Sequence, residues 1–407
     1  MSERSEFSGQ AIGVLITSIV LTTLGPSGLL MTTFSLFIDP MSAEFGWTRA
    51  SAAGIVSILA GCVALGSPLK GYLVDRFGAR ATLWPLTMLM AAAITTVAIV
   101  PQDRPGLVFT LFALIGLLAP GNIPFGKAIA AWFERRRGLA YGILGLGLSL
   151  GIPIGLQAAR WLIDAIGWRQ TYAVFGLVQV LAGVPLLAWT FRDAPAGGAR
   201  AAAVEEHGAS LRQALSSRAY WLVVGNLCLG VFALAGLLAH GVPLLAEHGL
   251  DRRAATNALS ALTLGITVSQ PILGWLLDRW PSPRVALPFA LAAATGLVLT
   301  PFARGEVALS ASLFLFGLGA GGETGTTPYF IARYFGLRRF SVIYGSVQPI
   351  NLGLAVGLGV WSLGLVYDHT GGYRLPLTLM GLAAAFAAGL LLLLPSYPAQ
   401  PKPSEPA

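Results

Sequence analysis

Three ionisable side chains stand inside long apolar runs of this sequence and are the first candidates for chemistry: Lys127, Glu323 and His240. Holding such a group within a membrane segment costs from about 3 kcal/mol upward, so by default it faces a cavity or a partner rather than lipid. A lone ammonium at Lys127 would attract a carboxylate, from a solute or from an acidic side chain. Its plainer alternative is a four-carbon stem that snorkels to the interface, or that pairs with Glu134 or a backbone carbonyl. Glu323 lies among Gly321, Gly322 and Gly325, where another backbone can come close. A carboxyl kept from water resists ionisation, which suits it to taking up and releasing a proton; a structural hydrogen bond between helices is the other reading. His240, followed by Gly241 and Pro243, reads as a satisfied packing histidine or as a solute ligand near one end of its run. Uncharged polar residues at similar depth are Thr32, Ser35, Asn122, Asn226, Gln270, Gln348 and Asn351. They suit directional hydrogen bonding to a small amphipathic organic solute, although any one can equally join helices at a gain on the order of 1 kcal/mol.

The elements that position these residues follow from composition. Of 407 residues, 55% are hydrophobic and 11% charged, against about 25% charged in a soluble domain. Spanning helices need about 20 mainly apolar residues. Such runs fall near 11–38, 52–73, 81–101, 106–133, 138–159 and 170–191, then near 218–245, 255–277, 284–303, 307–335, 341–366 and 374–395. The reading is an all-α membrane protein of twelve transmembrane helices. Residues 1–192 form one six-helix bundle, 193–217 a cytoplasmic linker, 218–396 a second bundle and 397–407 a cytoplasmic tail. Gly25-Pro26-Ser27-Gly28 interrupts the first run, and a straight lipid-facing helix would not tolerate that, so a break beside a cavity is expected there.

The net charge of +8 comes from basic residues scattered singly or in short clusters, without a basic face for nucleic acid. With the N-terminus inside, 17 Lys and Arg fall in internal connections and 8 in external ones, which puts both termini in the cytoplasm and the chain in the inner membrane. The polar start MSERSEFSGQ shows no signal peptide. Cys62 and Cys228 are isolated within apolar runs, so neither a disulfide framework nor a metal or other cofactor is expected. No Walker loop, H-E-x-x-H or Ser/His/Asp constellation occurs, which argues against an ATPase or an enzyme. The expected partners are a small-molecule solute, protons and the bilayer.

The two halves repeat at an offset of 203 residues. Ser67-Pro68-Leu69-Lys70-Gly71-Tyr72-Leu73-Val74-Asp75-Arg76 matches Gln270-Pro271-Ile272-Leu273-Gly274-Trp275-Leu276-Leu277-Asp278-Arg279, and Tyr141-Gly142 recurs as Tyr344-Gly345. Gly167-Trp168-Arg169 recurs, slightly shifted, as Gly372-Tyr373-Arg374. Duplication of this kind places a solute at the midplane, between repeats that rock against each other. The acids and bases Asp75, Arg76, Arg80, Asp278 and Arg279 read as paired latches of an inner gate. Lys70 reads as an interfacial anchor, and Arg135-Arg136-Arg137 as a topological signal rather than a phosphate site.

Gly71-Tyr72-Leu73-Val74-Asp75-Arg76-Phe77-Gly78-Ala79-Arg80 resembles the hallmark loop of the major facilitator superfamily. Phe37-Ile38-Asp39-Pro40-Met41-Ser42-Ala43-Glu44-Phe45-Gly46-Trp47-Thr48-Arg49-Ala50, Ala131-Trp132-Phe133-Glu134-Arg135-Arg136-Arg137-Gly138 and Gly167-Trp168-Arg169 are similar to its monocarboxylate and oxalate transporter branch. The resemblance covers roughly residues 10–395 and implies that helices 1, 4, 7 and 10 line the central cavity, which Lys127, Glu323 and His240 would then share. The branch also implies a carboxylate clamp that this chain lacks. Thr32, Ile266 and Gln270 stand where animal-type carriers place a lysine and an Asp/Arg pair, and Gln348 and Asn351 stand in the helix where oxalate carriers place a basic residue. The function expected is a secondary transporter of a small organic solute of monocarboxylate type, proton-coupled and working by alternating access; the alternative is an efflux carrier for apolar or cationic compounds.

Overall fold

The computed structural model describes residues 7–193 and 208–398. Among them nine helices are long and apolar enough to cross a membrane, ten if the bent pair at the start is one span. One of the nine is a 53-residue stretch that turns at Gly167, whose φ of +81° suits a residue without a side chain. That division and Ala79–Val97, a shorter helix of 19 residues, bring the spans to twelve. They are α1 (Gly9–Leu24 continuing to Leu36), α2 (Arg49–Phe77), α3 (Ala79–Val97), α4 (Gly106–Leu118 and Ile123–Trp132), α5 (137–166) and α6 (168–189). The second set is α7 (Arg218–Glu247), α8 (Arg252–Arg279), α9 (Leu287–Leu299), α10 (Gly305–Phe335), α11 (Phe340–Thr370) and α12 (Arg374–Leu393).

The break expected in the first run is present: α1 stops at Leu24, Gly25 is extended, and Pro26–Leu30 continues as a π-helical turn. A second break, not foreseen, divides α4 between Leu118 and Ile123, around Pro120 and Gly121, the latter at φ +60°. Pro120 has no N–H to give Gly116, and glycine tolerates the left-handed turn. A π-helical stretch, Pro349–Ala355, interrupts α11. Within the stretch expected to be a linker, residues 194–207 lie outside the described residues. Leu211–Leu215 forms a short helix with a full capping box from Ser210 and Gln213.

The chain falls into two compact units. One comprises Met1–Phe133, Leu146–Ala194 and Ser341–Gly353, and the other Glu134–Gly145, Pro195–Phe340 and Leu354–Ala407. The first has an aromatic core in which Phe34, Phe37, Phe112, Trp168, Tyr172 and Phe175 meet mainly edge to face. The second is packed with Leu, Ala and Gly. There a Cβ added at Gly317 would lie 2.2 Å from the Leu262 carbonyl, and one at Gly321 would lie 2.4 Å from that of Ile266. The glycines of α10 thus bring α10 and α8 backbone to backbone, as small residues do in membranes.

Candidate functional site

The Gly-to-Asp motif acquires a physical meaning from two matched junctions. On α2, Gly71 and Asp75 lie one turn apart on one face. Ser341, in the first turn of α11, presses on Gly71 so closely that an added Cβ would sit 2.2 Å from its carbonyl oxygen. One turn on, the Asp75 carboxylate accepts the Ser341 and Val342 amides at 3.2 and 2.9 Å. On α8 the arrangement recurs: Gly274 abuts the Gly138 carbonyl, and Asp278 accepts the Gly138 and Leu139 amides at 2.7 and 2.8 Å. Gly138 and Ser341 are themselves 203 residues apart, so the receiving helix start is duplicated with the motif. Each aspartate neutralises the positive end of a helix dipole and satisfies two amides that have no partner within the helix.

The arginines expected to share these latches make other contacts. Arg76 Nη1 donates to the Tyr72 hydroxyl at 2.9 Å and lies over Phe77. Arg80 Nη2 donates to the Ala188 carbonyl at 3.1 Å, while Arg279 lies over Trp275 and Trp280. Lys127 takes the place assigned to an arginine at Asp75. Its Nζ stands 2.8 Å from Asp75 Oδ1, with the lysine side chain 23% exposed and the aspartate wholly buried. The second junction carries Phe330 at the position offset from Lys127, a residue 1% exposed.

The remaining candidates separate by what they touch. Asn226 is buried and donates to the Ala387 carbonyl at 3.0 Å, joining α7 to α12. His240 lies 3.3 Å from both the Tyr373 hydroxyl and the Val360 carbonyl, which makes it a packing histidine in this state. Gln270 is buried in α8, in space that Gly145 leaves open. Thr32 is half-buried and donates to the Gly28 carbonyl within the bend of α1, and half-buried Asn122 sits at the break in α4. Gln348 and Asn351 flank the start of the π-helical stretch of α11. Asn351 Oδ1 is buried and accepts no hydrogen bond among the described residues. Glu323 belongs to α10, but its side chain lies outside the described residues.

Sequence reasoning misjudged Lys70. Rather than anchoring at an interface, it is 2% exposed and donates to the backbone carbonyls of Ala119 at 2.6 Å, Gly116 at 3.4 Å and Val63 at 3.5 Å.

An acid–aromatic brace built on the short helix Ile38–Phe45, between α1 and α2, was also missed. Glu44 accepts Trp168 Nε1 at 2.7 Å, Gln102 Nε2 at 3.0 Å and Arg169 Nε at 2.8 Å, and Arg169 also reaches the Ala98 carbonyl. Glu247, offset from Glu44 by 203 residues, likewise receives the Tyr373 amide, so the repeat held the signal. Burial pushes the Glu44 carboxyl up, but the hydrogen bonds from Arg169, Gln102 and Trp168, with the Arg169 charge, outweigh it and leave the group below its ordinary range. A carboxyl depressed on folding stabilises fully above its unfolded pKa and ceases to as pH falls through the folded one. Glu44→Gln is therefore expected to cost about 1–3 kcal/mol near neutrality. Thermal denaturation of purified protein should show the gap closing as the solution is acidified through the carboxylate range. A gap independent of pH would mean that only packing was lost.

Comparison with known proteins bears on the family and the fold. Residues 20–360 match the family model for the Major Facilitator Superfamily. The chain is 27% identical to a gallate transporter of Pseudomonas putida, over 88% of this chain and 86% of that one. It is 25% identical to monocarboxylate transporter 13 of Bos taurus, over 93% and 89%. Its fold superposes on the proton:xylose symporter XylE with a TM-score of 0.76, at 14% identity, covering 94% and 96% of the two chains. Helical spans, duplicated Gly-to-Asp junctions and a family match over most of the length lead to one conclusion: the chain belongs to the major facilitator superfamily of membrane transporters.

Proposed function

We propose that this protein is a secondary transporter of small organic monocarboxylates, coupled to protons and working by alternating access. The observation that carries the reading is the Lys127–Asp75 pair. In this fold α4 lines the solute path, and Lys127 is a cation on α4 held by a carboxylate that also caps the start of α11. A solute carboxylate competing for the ammonium would leave Asp75 with its two amides alone and so alter the hold of α2 on α11. Solute binding would thereby acquire a differential effect on two conformations, which population shift requires. The gallate and monocarboxylate carriers among the relatives support an acidic cargo, and the proton:xylose symporter supports proton coupling. Thr32, Asn122, Gln348 and Asn351 supply polar contacts for the rest of the solute, while Glu323 carries the proton. Counting Lys70 as buried leaves 16 basic residues on one side against 8 on the other, which supports cytoplasmic termini in an inner membrane.

The test is uptake into proteoliposomes of labelled pyruvate, benzoate and gallate at two pH values, with an inward proton gradient expected to drive accumulation of at least one. Lys127→Met is expected to raise the half-saturating concentration of that solute tenfold or more, since losing one partner of a desolvated charge pair costs about 2–5 kcal/mol. Unchanged affinity would remove Lys127 from the solute site. Transport restricted to apolar or cationic compounds would favour the efflux reading instead.

A further inference from the structure

The break in α4 falls at the centre of its span, Gly106–Trp132, a depth at which irregular backbone must have its polar groups satisfied by the protein or by a cavity. Pro120 cannot donate to the Gly116 carbonyl, and the turn at Ala119, with ψ near 118°, leaves the Ala119 carbonyl outside the regular ladder as well. Both carbonyls belong to the C-terminal, negative end of the half-helix Gly106–Leu118. The Lys70 ammonium sits against both, at 3.4 and 2.6 Å, and among the described residues its only other hydrogen bond is to the Val63 carbonyl of its own helix. Carriers with broken helices commonly satisfy such carbonyls with a metal cation. Here a side chain delivers the charge.

The second repeat shows what happens without the break. At the offset of 203 residues, Lys70 becomes Leu273 and Pro120 becomes Glu323, and α10 runs unbroken from Gly305 to Phe335. Leu273 is also 2% exposed and packs against Gly322, the counterpart of Ala119. The fold itself therefore accepts a leucine at this position. The lysine accompanies the proline.

We propose that Lys70 is a positioning residue: a tethered ammonium that supplies the donor missing at Pro120 and so holds α4 in its broken form. The ammonium touches neither Asp75 nor the other candidate residues; it acts through the α4 backbone, which carries Asn122 and Lys127 beyond the break.

A double-mutant cycle between Lys70 and Pro120 tests this. Lys70→Met should lower the melting temperature of the purified carrier or prevent its insertion, because two carbonyls lose their donor in an apolar setting. Pro120→Ala restores an N–H, so the Lys70→Met/Pro120→Ala pair should recover insertion and most of the lost stability. In the same proteoliposomes, with labelled benzoate and gallate as probes, the pair should exchange solute at least tenfold more slowly than wild type, because α4 can now close into a continuous helix. Lys70→Arg, which keeps the cation and its donors, should retain the break and most of the exchange rate. The stability arm depends on no knowledge of the cargo, so it separates failure of this proposal from failure of the monocarboxylate reading. Additive effects of Lys70→Met and Pro120→Ala, or a double variant no better inserted than Lys70→Met, would overturn the coupling. A Lys70→Met variant that exchanges normally but with a tenfold higher half-saturating concentration would make Lys70 a solute ligand instead.

Discussion

Asp75→Asn is expected to reduce transport at least tenfold while leaving the half-saturating concentration unchanged or lowering it. Asparagine keeps the size of the side chain but has one acceptor oxygen where the aspartate uses both, Oδ1 for the Ser341 amide and Oδ2 for that of Val342, so one helix-start amide loses its acceptor along with the charge that faces the helix dipole and Lys127. Removing one partner of a buried ion pair costs about 3–5 kcal/mol. The cost should fall near the low end, because the Lys127 side chain is 23% exposed and can turn toward water. The freed lysine no longer has an internal competitor, so an anionic solute should bind as well or better, the opposite of the Lys127→Met phenotype. Combining the two substitutions should give less than the sum of their effects on transport. Normal turnover of Asp75→Asn in counterflow assays, or strict additivity with Lys127→Met, would sink the coupled latch.

The other large effect is expected at Glu323. Glu323→Gln, which mimics the protonated acid, should abolish accumulation driven by a pH gradient while sparing exchange of labelled for unlabelled solute. Exchange moves no net proton, so the two assays separate coupling from collapse of the site. The position is constrained: α10 is continuous here, and its glycines at 317 and 321 lie against the α8 backbone, leaving residue 323 on an element packed too closely to shift by side-chain repacking alone. A Gln variant that still concentrates solute against its gradient would leave the coupling to another group.

Much of the fold was legible because a bilayer writes it in long strokes. Length and hydropathy gave the spans, and Gly25-Pro26 announced the bend in α1. The Pro120-Gly121 pair carried the same signal in α4 and was overlooked, because it lies within a run apolar enough to read as one helix. Lys70 followed from that oversight: without the break, a lysine beside Gly71 has no carbonyls to satisfy and reads as an anchor. At the two helix junctions, sequence located Asp75 and Asp278 but supplied the wrong arginine partners. Arginines adjacent in sequence were assumed to pair with them, whereas the carboxylates meet helix-start amides about 140 and 266 residues away and, at Asp75, the Lys127 side chain as well. The amides are main-chain groups, identical at every residue, and no side-chain pattern can mark them. Asn226 and His240 were visible as polar residues at depth, but whether they face a solute or a neighbouring carbonyl depends on helix rotation, which composition does not encode.

The contacts of Ser341 on Gly71 and of Gly138 on Gly274 bear on how such helices can part. Surfaces that interlock through side chains must withdraw each one and let it find a new rotamer before they separate, and then reverse the process on return. At these two points bare backbone lies on bare backbone with a carboxylate one turn away, and farther along α8 the Gln270 side chain fills the space beside Gly145. Parting the helices at these points would cost the carboxylate's two hydrogen bonds and a thin layer of dispersion contact, with few side chains to seat again on return.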